Sequence, residues 1–178
     1  MNAHLNYSIY LASSQFAVSQ RYNGNRRKAQ EVLYVTCCFF GHKDTPSSVY
    51  KKLEEAVEKI IVEDGASSFL VGNQGQFDSM ALSALRKLKL KYPHINYNVV
   101  LAYMPVEKEM WSPYEYGETM LPEGIESVHP RYAISWRNKW MLNESDMVIC
   151  YIIHSWGGAA RYVEMARKKH KTIIELPK

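Results

Sequence analysis

Residues 32–45 read VLYVTCCFFGHKDT. The run Val32–Phe40 is apolar throughout, rich in β-branched and aromatic side chains, and lacks the alternation of a half-exposed strand. A strand covered on both faces reads this way. Gly41-His42-Lys43 ends it. Thr45 is placed to cap a helix, and Pro46 suits the first turn, where its missing N–H is no loss. Val49, Leu53, Ala56, Val57, Ile60 and Ile61 then fall on one helical face. Asp64-Gly65 stops that helix.

The same strand-turn-helix unit recurs outward from there. Ser68–Val71 reads as a short strand, and Gly72-Asn73-Gln74-Gly75 as a turn. A helix from about Phe77 to Lys91 turns Met80, Ala81, Ala84, Leu85 and Leu88 inward, and Tyr92-Pro93 ends it. Asn98–Ala102 is a third strand. Met104 to His129 is long and irregular, with Pro105, Pro113, Pro122 and, just beyond, Pro130 as breakers. A loop this long in a compact domain is usually functional or a lid. A helix over Tyr132–Leu142, strand Met147–Ile152, loop His154–Gly158, helix Ala159–Lys169 and strand Thr172–Leu176 complete the chain. Strands alternating with helices predict an α/β fold: a single Rossmann-like three-layer domain over residues 31–178, with a mainly parallel sheet of about five strands. Such sheets bind ligands beyond the carboxyl ends of their strands, at the topological switch point. Gly41–Thr45, Gly72–Asp78 and Ser155–Ala160 all leave carboxyl ends and are expected to converge on one cleft.

A chain of 178 residues is one domain's worth, and its 47% hydrophobic and 22% charged composition is ordinary globular usage. The net charge of +4 is carried by Arg21, Arg26, Arg27 and Lys28, since residues 1–30 contain no acid. Residues 1–30 therefore read as a basic, loosely ordered extension, and the remainder is neutral. A neutral body argues against broad binding of nucleic acid, which needs a basic face. No apolar run reaches the roughly 18 residues of a membrane helix. Cys37 and Cys38 are adjacent within the first strand, and no cysteine pair has zinc-finger spacing, so reduced structural thiols and a cytoplasmic setting are expected. The six histidines show no paired spacing, and neither a metal nor a cofactor is expected.

The candidate chemistry lies in the turns. Gly72-Asn73-Gln74-Gly75, with Asp78 three residues on, brings backbone N–H groups and a helix N-terminus together, which suits a phosphate. It is neither a dinucleotide fingerprint nor a Walker A loop, and Asp78 reads equally as an ordinary first-turn acid. Gly157-Gly158, with Ala159, repeats the arrangement at the next strand–helix junction. Glu164 lies one to two turns into that helix, as a ligand-facing or a solvated acid. Arg137, on the helix before, is placed to reach the carboxyl end of the following strand and pair with a phosphate or carboxylate; the alternative is a surface arginine. His42 is the best-placed histidine, or a loop residue bonded to backbone. Trp111, Tyr114 and Tyr116 suit either base stacking or loop packing. Asp146 reads as a turn or cap residue.

Together these segments resemble a bacterial branch of the SLOG superfamily, which groups DprA DNA-processing proteins with Lonely Guy (LOG) phosphoribohydrolases. Val35–Lys43 is similar to its opening strand and Gly-His-Arg/Lys turn. Gly72–Asp78 with Ala81 is similar to its Gly-rich turn and aspartate. Arg137-Asn138 with Met141 and Asp146 resembles its Arg-Asn segment, and Gly157-Gly158 with Glu164 its final Gly-Gly loop. The resemblance spans about residues 33–176. It implies a nucleotide or nucleotide-derived small molecule as ligand, bound by Gly41, His42, Gly72, Asn73, Gln74, Gly75, Asp78, Arg137, Asn138, Gly157, Gly158, Ala159 and Arg161. A non-catalytic binder or sensor is one expectation. A LOG-like N-glycoside hydrolase, with Arg137 and Glu164 catalytic, is a second, and DprA-like binding of single-stranded DNA a third. Relatives often form homodimers. Ala160 stands where LOG enzymes have Gly, Arg161 where they have Thr, and Trp156 where they have Pro. These departures weigh against hydrolysis, although Arg161 offers replacement charge.

Overall fold

The computed structural model describes residues 34–103 and 118–178. The basic extension and the Trp111, Tyr114 and Tyr116 cluster lie outside the described residues. The first strand, β1 (Val35–Gly41), is followed by a 3-10 turn and α1 (Tyr50–Glu63), then β2 (Ala66–Val71), α2 (Gln76–Lys91) and β3 (Asn96–Val100). After the undescribed stretch come β4 (Thr119–Met120), α3 (Pro130–Glu144), β5 (Met147–Tyr151), α4 (Gly158–Lys168) and β6 (Thr172–Glu175). The sheet has six strands in the order β4-β3-β2-β1-β5-β6, and every pairing is parallel.

The apolar run of β1 serves both faces because successive side chains point to opposite sides. Cys37 and Phe39 pack with Leu53, Val57 and Ile60 of α1 and with Met80 and Leu85 of α2. Cys38 and Phe40 pack with Met141 and Leu142 of α3 and with Tyr162, Val163 and Ala166 of α4. Two helical layers therefore enclose the sheet, as the alternation of strands and helices predicts. All three cysteines, Cys37, Cys38 and Cys150, are free thiols buried on these central strands. Burial pushes the Cys38 and Cys150 thiols up to about 12 and raises Cys37 well above its usual range.

Asp146 holds the start of β1 in register. Its backbone N–H donates to the Thr36 carbonyl at 2.8 Å, and its Oδ2 accepts from the Thr36 N–H at 2.9 Å. The turn role expected of it becomes a two-way clamp between β5 and β1.

The expected parallel sheet of about five strands has six, because the short β4 forms within the stretch read as long and irregular. Glu118 accepts from Arg86 Nε at 3.1 Å and from the Tyr97 hydroxyl, and the Leu101 N–H donates to the Met120 carbonyl at 2.9 Å. These bonds fix a two-residue strand on the β3 edge that no periodicity could announce. Thr45 does not cap α1: its hydroxyl donates back to the His42 carbonyl at 2.6 Å. A 3-10 turn at Ser47–Val49 intervenes before α1 begins. Element ends elsewhere shift by one to three residues, the most at β1, which begins at Val35 and not Val32.

Candidate functional site

The chain reverses direction across the sheet between β1 and β5. From β1 it proceeds through α1 to β2 on one side, and from β5 through α4 to β6 on the other. The helices that follow these neighbouring strands, α1 and α4, pack on opposite faces of the sheet and leave a crevice at the strands' carboxyl ends. A cavity of about 150 Å³ lies there. It is lined by Phe39, Phe40 and Gly41 of β1, by Gly72, Gln74 and Asp78 after β2, by Arg137, Asn138 and Met141 of α3, and by Gly158 and Ala159 of α4. The three loops expected to converge thus do so at residue level for Gly41, Gly72, Gln74, Asp78, Gly158 and Ala159, joined by Arg137 and Asn138 from α3.

Arg137 is 1% exposed, not a surface residue. Its Nη1 donates to the Val100 carbonyl at 2.6 Å and approaches Asn73 Oδ1 at 3.4 Å. It therefore reaches across to the end of β3 and the loop after β2, while it shares the cavity lining with Gly158 and Ala159 beyond β5. Asn73 belongs to the site through this contact. Asp78 faces the same guanidinium. Its Oδ2 accepts from the Gln74 N–H at 2.9 Å, which closes the turn at the start of α2. Burial raises the Asp78 carboxyl to about 6, against the opposing pull of that N–H and of the Arg137 charge.

The glycines divide into two kinds. A Cβ on Gly41 would lie 2.2 Å from the Phe77 ring, and one on Gly72 would lie 2.3 Å from Asp78 Oδ2 and 3.0 Å from Arg137 Nη1. One on Gly75 would lie 2.7 Å from the Lys43 backbone, where the Gln76 N–H also donates to the Lys43 carbonyl at 2.9 Å. These three glycines let parts of the protein approach one another. A Cβ on Gly157 or Gly158 would meet nothing within 4 Å, so their backbone faces open space. Gly75 and Gly157 start α2 and α4 with nearly the same backbone, φ 118° and ψ 179° against φ 94° and ψ −179°. Asp78 already offsets the dipole of α2, whereas α4 has no acid in its first turn. An incoming anion therefore meets its more favourable helix end at α4.

His42 does not line the cavity. Its Nε2 accepts from the His154 backbone N–H at 3.2 Å, which ties the loops after β1 and β5 together. The His42 and His154 rings lie 5.2 Å apart, and Trp156 stacks on His154 at 4.9 Å with the planes 10° apart. Trp156 is 71% exposed. In the sequence it stands out only as a departure from a motif, because nothing in a Ser-Trp-Gly-Gly stretch shows which way the ring turns. Arg161 is exposed on α4. Glu164 lies on the same outer side, with its carboxylate 3.9 Å from Arg167 and 3.8 Å from Lys168; the structure does not bring it to the cavity. Among the described residues no group of three or more His, Cys, Asp or Glu could hold a metal ion, and no helix is long and apolar enough to cross a membrane.

No family model matches the sequence, and no curated protein matches it. Among solved structures, the chain is similar to DNA processing protein A (DprA) from Streptococcus pneumoniae. The TM-score is 0.56 at 12% identity, over 82% of this chain and 51% of that one. The fold is Rossmann-like. This chain spans about half the length of the DprA chain, and an identity of 12% carries the architecture alone.

Proposed function

We propose that the protein binds a phosphate-bearing, nucleotide-derived small molecule in the crevice between β1 and β5, as a binder or sensor within the SLOG superfamily. The observation that carries this reading is the convergence, in one switch-point cavity, of the buried Arg137 guanidinium and the open Gly158-Ala159 start of α4. A phosphate accepts hydrogen bonds from such a helix end and is drawn by both positive charges. Asp78 and Asn138, in the same lining, offer acceptors and donors for sugar hydroxyls.

The placement of Glu164 favours binding over cleavage. An N-glycoside hydrolase needs a carboxylate beside the sugar cation that develops as the base leaves, and this one is engaged by Arg167 and Lys168 on the outer side of α4. Asp78 is the carboxyl in the cavity lining, so it is the residue a hydrolytic reading would have to use.

The test is to incubate the full chain with nucleoside monophosphates, ADP-ribose, NAD and cyclic nucleotides, following melting temperature and mass spectrum. The expected result is a rise of several degrees with at least one ligand, recovered intact. Free base released and lost in Asp78→Asn would turn the reading to a hydrolase. No shift with any member would overturn it.

A further inference from the structure

Trp156 is a large apolar ring left 71% exposed, although tryptophan is normally among the most buried side chains on average. It is not a loose surface residue. One face lies on the His154 ring at 4.9 Å and 10°. The His154 backbone is itself held by His42 Nε2. The other face is open. This ring precedes the Gly157 cap of α4 and stands two residues from Gly158, which lines the cavity. Two residues span at most about 7 Å of backbone, so the Trp156 side chain starts within a mononucleotide's length of Gly158.

Resting on the phosphate-site reading above, we infer that the open face of Trp156 is a stacking platform for the heteroaromatic base of a mononucleotide whose phosphate lies at the start of α4. Stacking on a fixed ring suits this role for two reasons. Every base presents a π-face, and a ring already ordered by His154 loses little freedom when the ligand arrives. The mononucleotide is favoured over a polynucleotide because the cavity beside the platform is small, at about 150 Å³. The 18 acidic side chains of the chain also leave no net positive charge beyond residue 30 to follow a long phosphate backbone.

Calorimetric titration of the full chain with AMP, UMP and ribose 5-phosphate tests it. The wild-type protein should bind AMP roughly 5- to 150-fold more tightly than ribose 5-phosphate, the range of one base–aromatic stack. Trp156→Ala should remove that advantage while leaving ribose 5-phosphate affinity unchanged, and Trp156→Phe should restore most of it. AMP affinity unchanged in Trp156→Ala, or equal affinities for AMP and ribose 5-phosphate in the wild type, would overturn the platform and leave the phosphate site standing. Binding of none of the three probes would overturn the platform, and absence of any shift across the wider panel above would remove the phosphate site with it. Binding of oligo(dA) far more tightly than AMP, falling steeply with salt, would reassign the ring to single-stranded nucleic acid.

Discussion

At the Asp78 carboxyl two demands conflict. The turn before α2 uses the ionised form, which accepts from the Gln74 N–H, while burial disfavours that charge. Burial wins, and the group titrates at about 6 instead of near 4. The folded chain thus holds this proton more tightly than the unfolded chain does. The resulting stability is fully present below about pH 4 and is lost as pH rises through about 6. Wild-type protein should gain about 1 kcal/mol from this group at about pH 5 relative to about pH 7.5, and Asp78→Asn should lack that gain. Urea denaturation of both proteins at both pH values measures it. Identical pH responses would show that the carboxyl is better solvated than its burial implies. Arg137 was legible only in part. Its residue type and helix position mark it as a candidate. Its burial and its bond to the Val100 carbonyl depend on where β3 lies in the sheet relative to β5, an order no local pattern encodes.

A glycine at the start of a helix looks the same in sequence whether it makes room for the protein or for a ligand, and α2 and α4 separate the two cases. Gly72, before α2, has Asp78 and Arg137 against it. Gly72→Ala should cost about 1–3 kcal/mol through overpacking and weaken the ligand with it. Gly158, at the first position of α4, faces open space. Gly158→Ala should leave the melting temperature unchanged or slightly raised, yet reduce nucleotide affinity about tenfold or more, because the methyl occupies the anion's approach. Thermal melting alongside titration of both variants distinguishes them; an undiminished affinity in Gly158→Ala would place the phosphate elsewhere. The longer elements were legible because each carries its own period. The face Leu53, Val57, Ile60 and Ile61 declares α1, and the run ending in Phe39-Phe40 declares β1. The two-residue β4 was not, since it is fixed by the side chains of Arg86 and Tyr97 from other elements. The 3-10 turn after Thr45 was not, because its hydroxyl found the His42 carbonyl before it could find a helix.

Across the whole molecule, the convergence of three loops followed from the alternation of strands and helices, whereas the Trp156 platform did not, because it depends on two loops meeting at His42 and His154. The layered interior also fixes the chemistry of its sulfur. Cys37, Cys38 and Cys150 lie on β1 and β5, between the helical layers, and burial raises all three thiols. The thiolate is the reactive form, so the folded protein should be inert to an aromatic disulfide reagent at about pH 8. The same protein in urea should release three equivalents of thiol, read by absorbance. Rapid reaction without urea would mean that the sheet opens readily. The native protein is then, in practice, blank toward thiol-directed dyes. One cysteine substituted for Ser155 would be its sole addressable handle, and a fluorophore attached at the rim of the crevice could report ligand arrival without any editing of the interior.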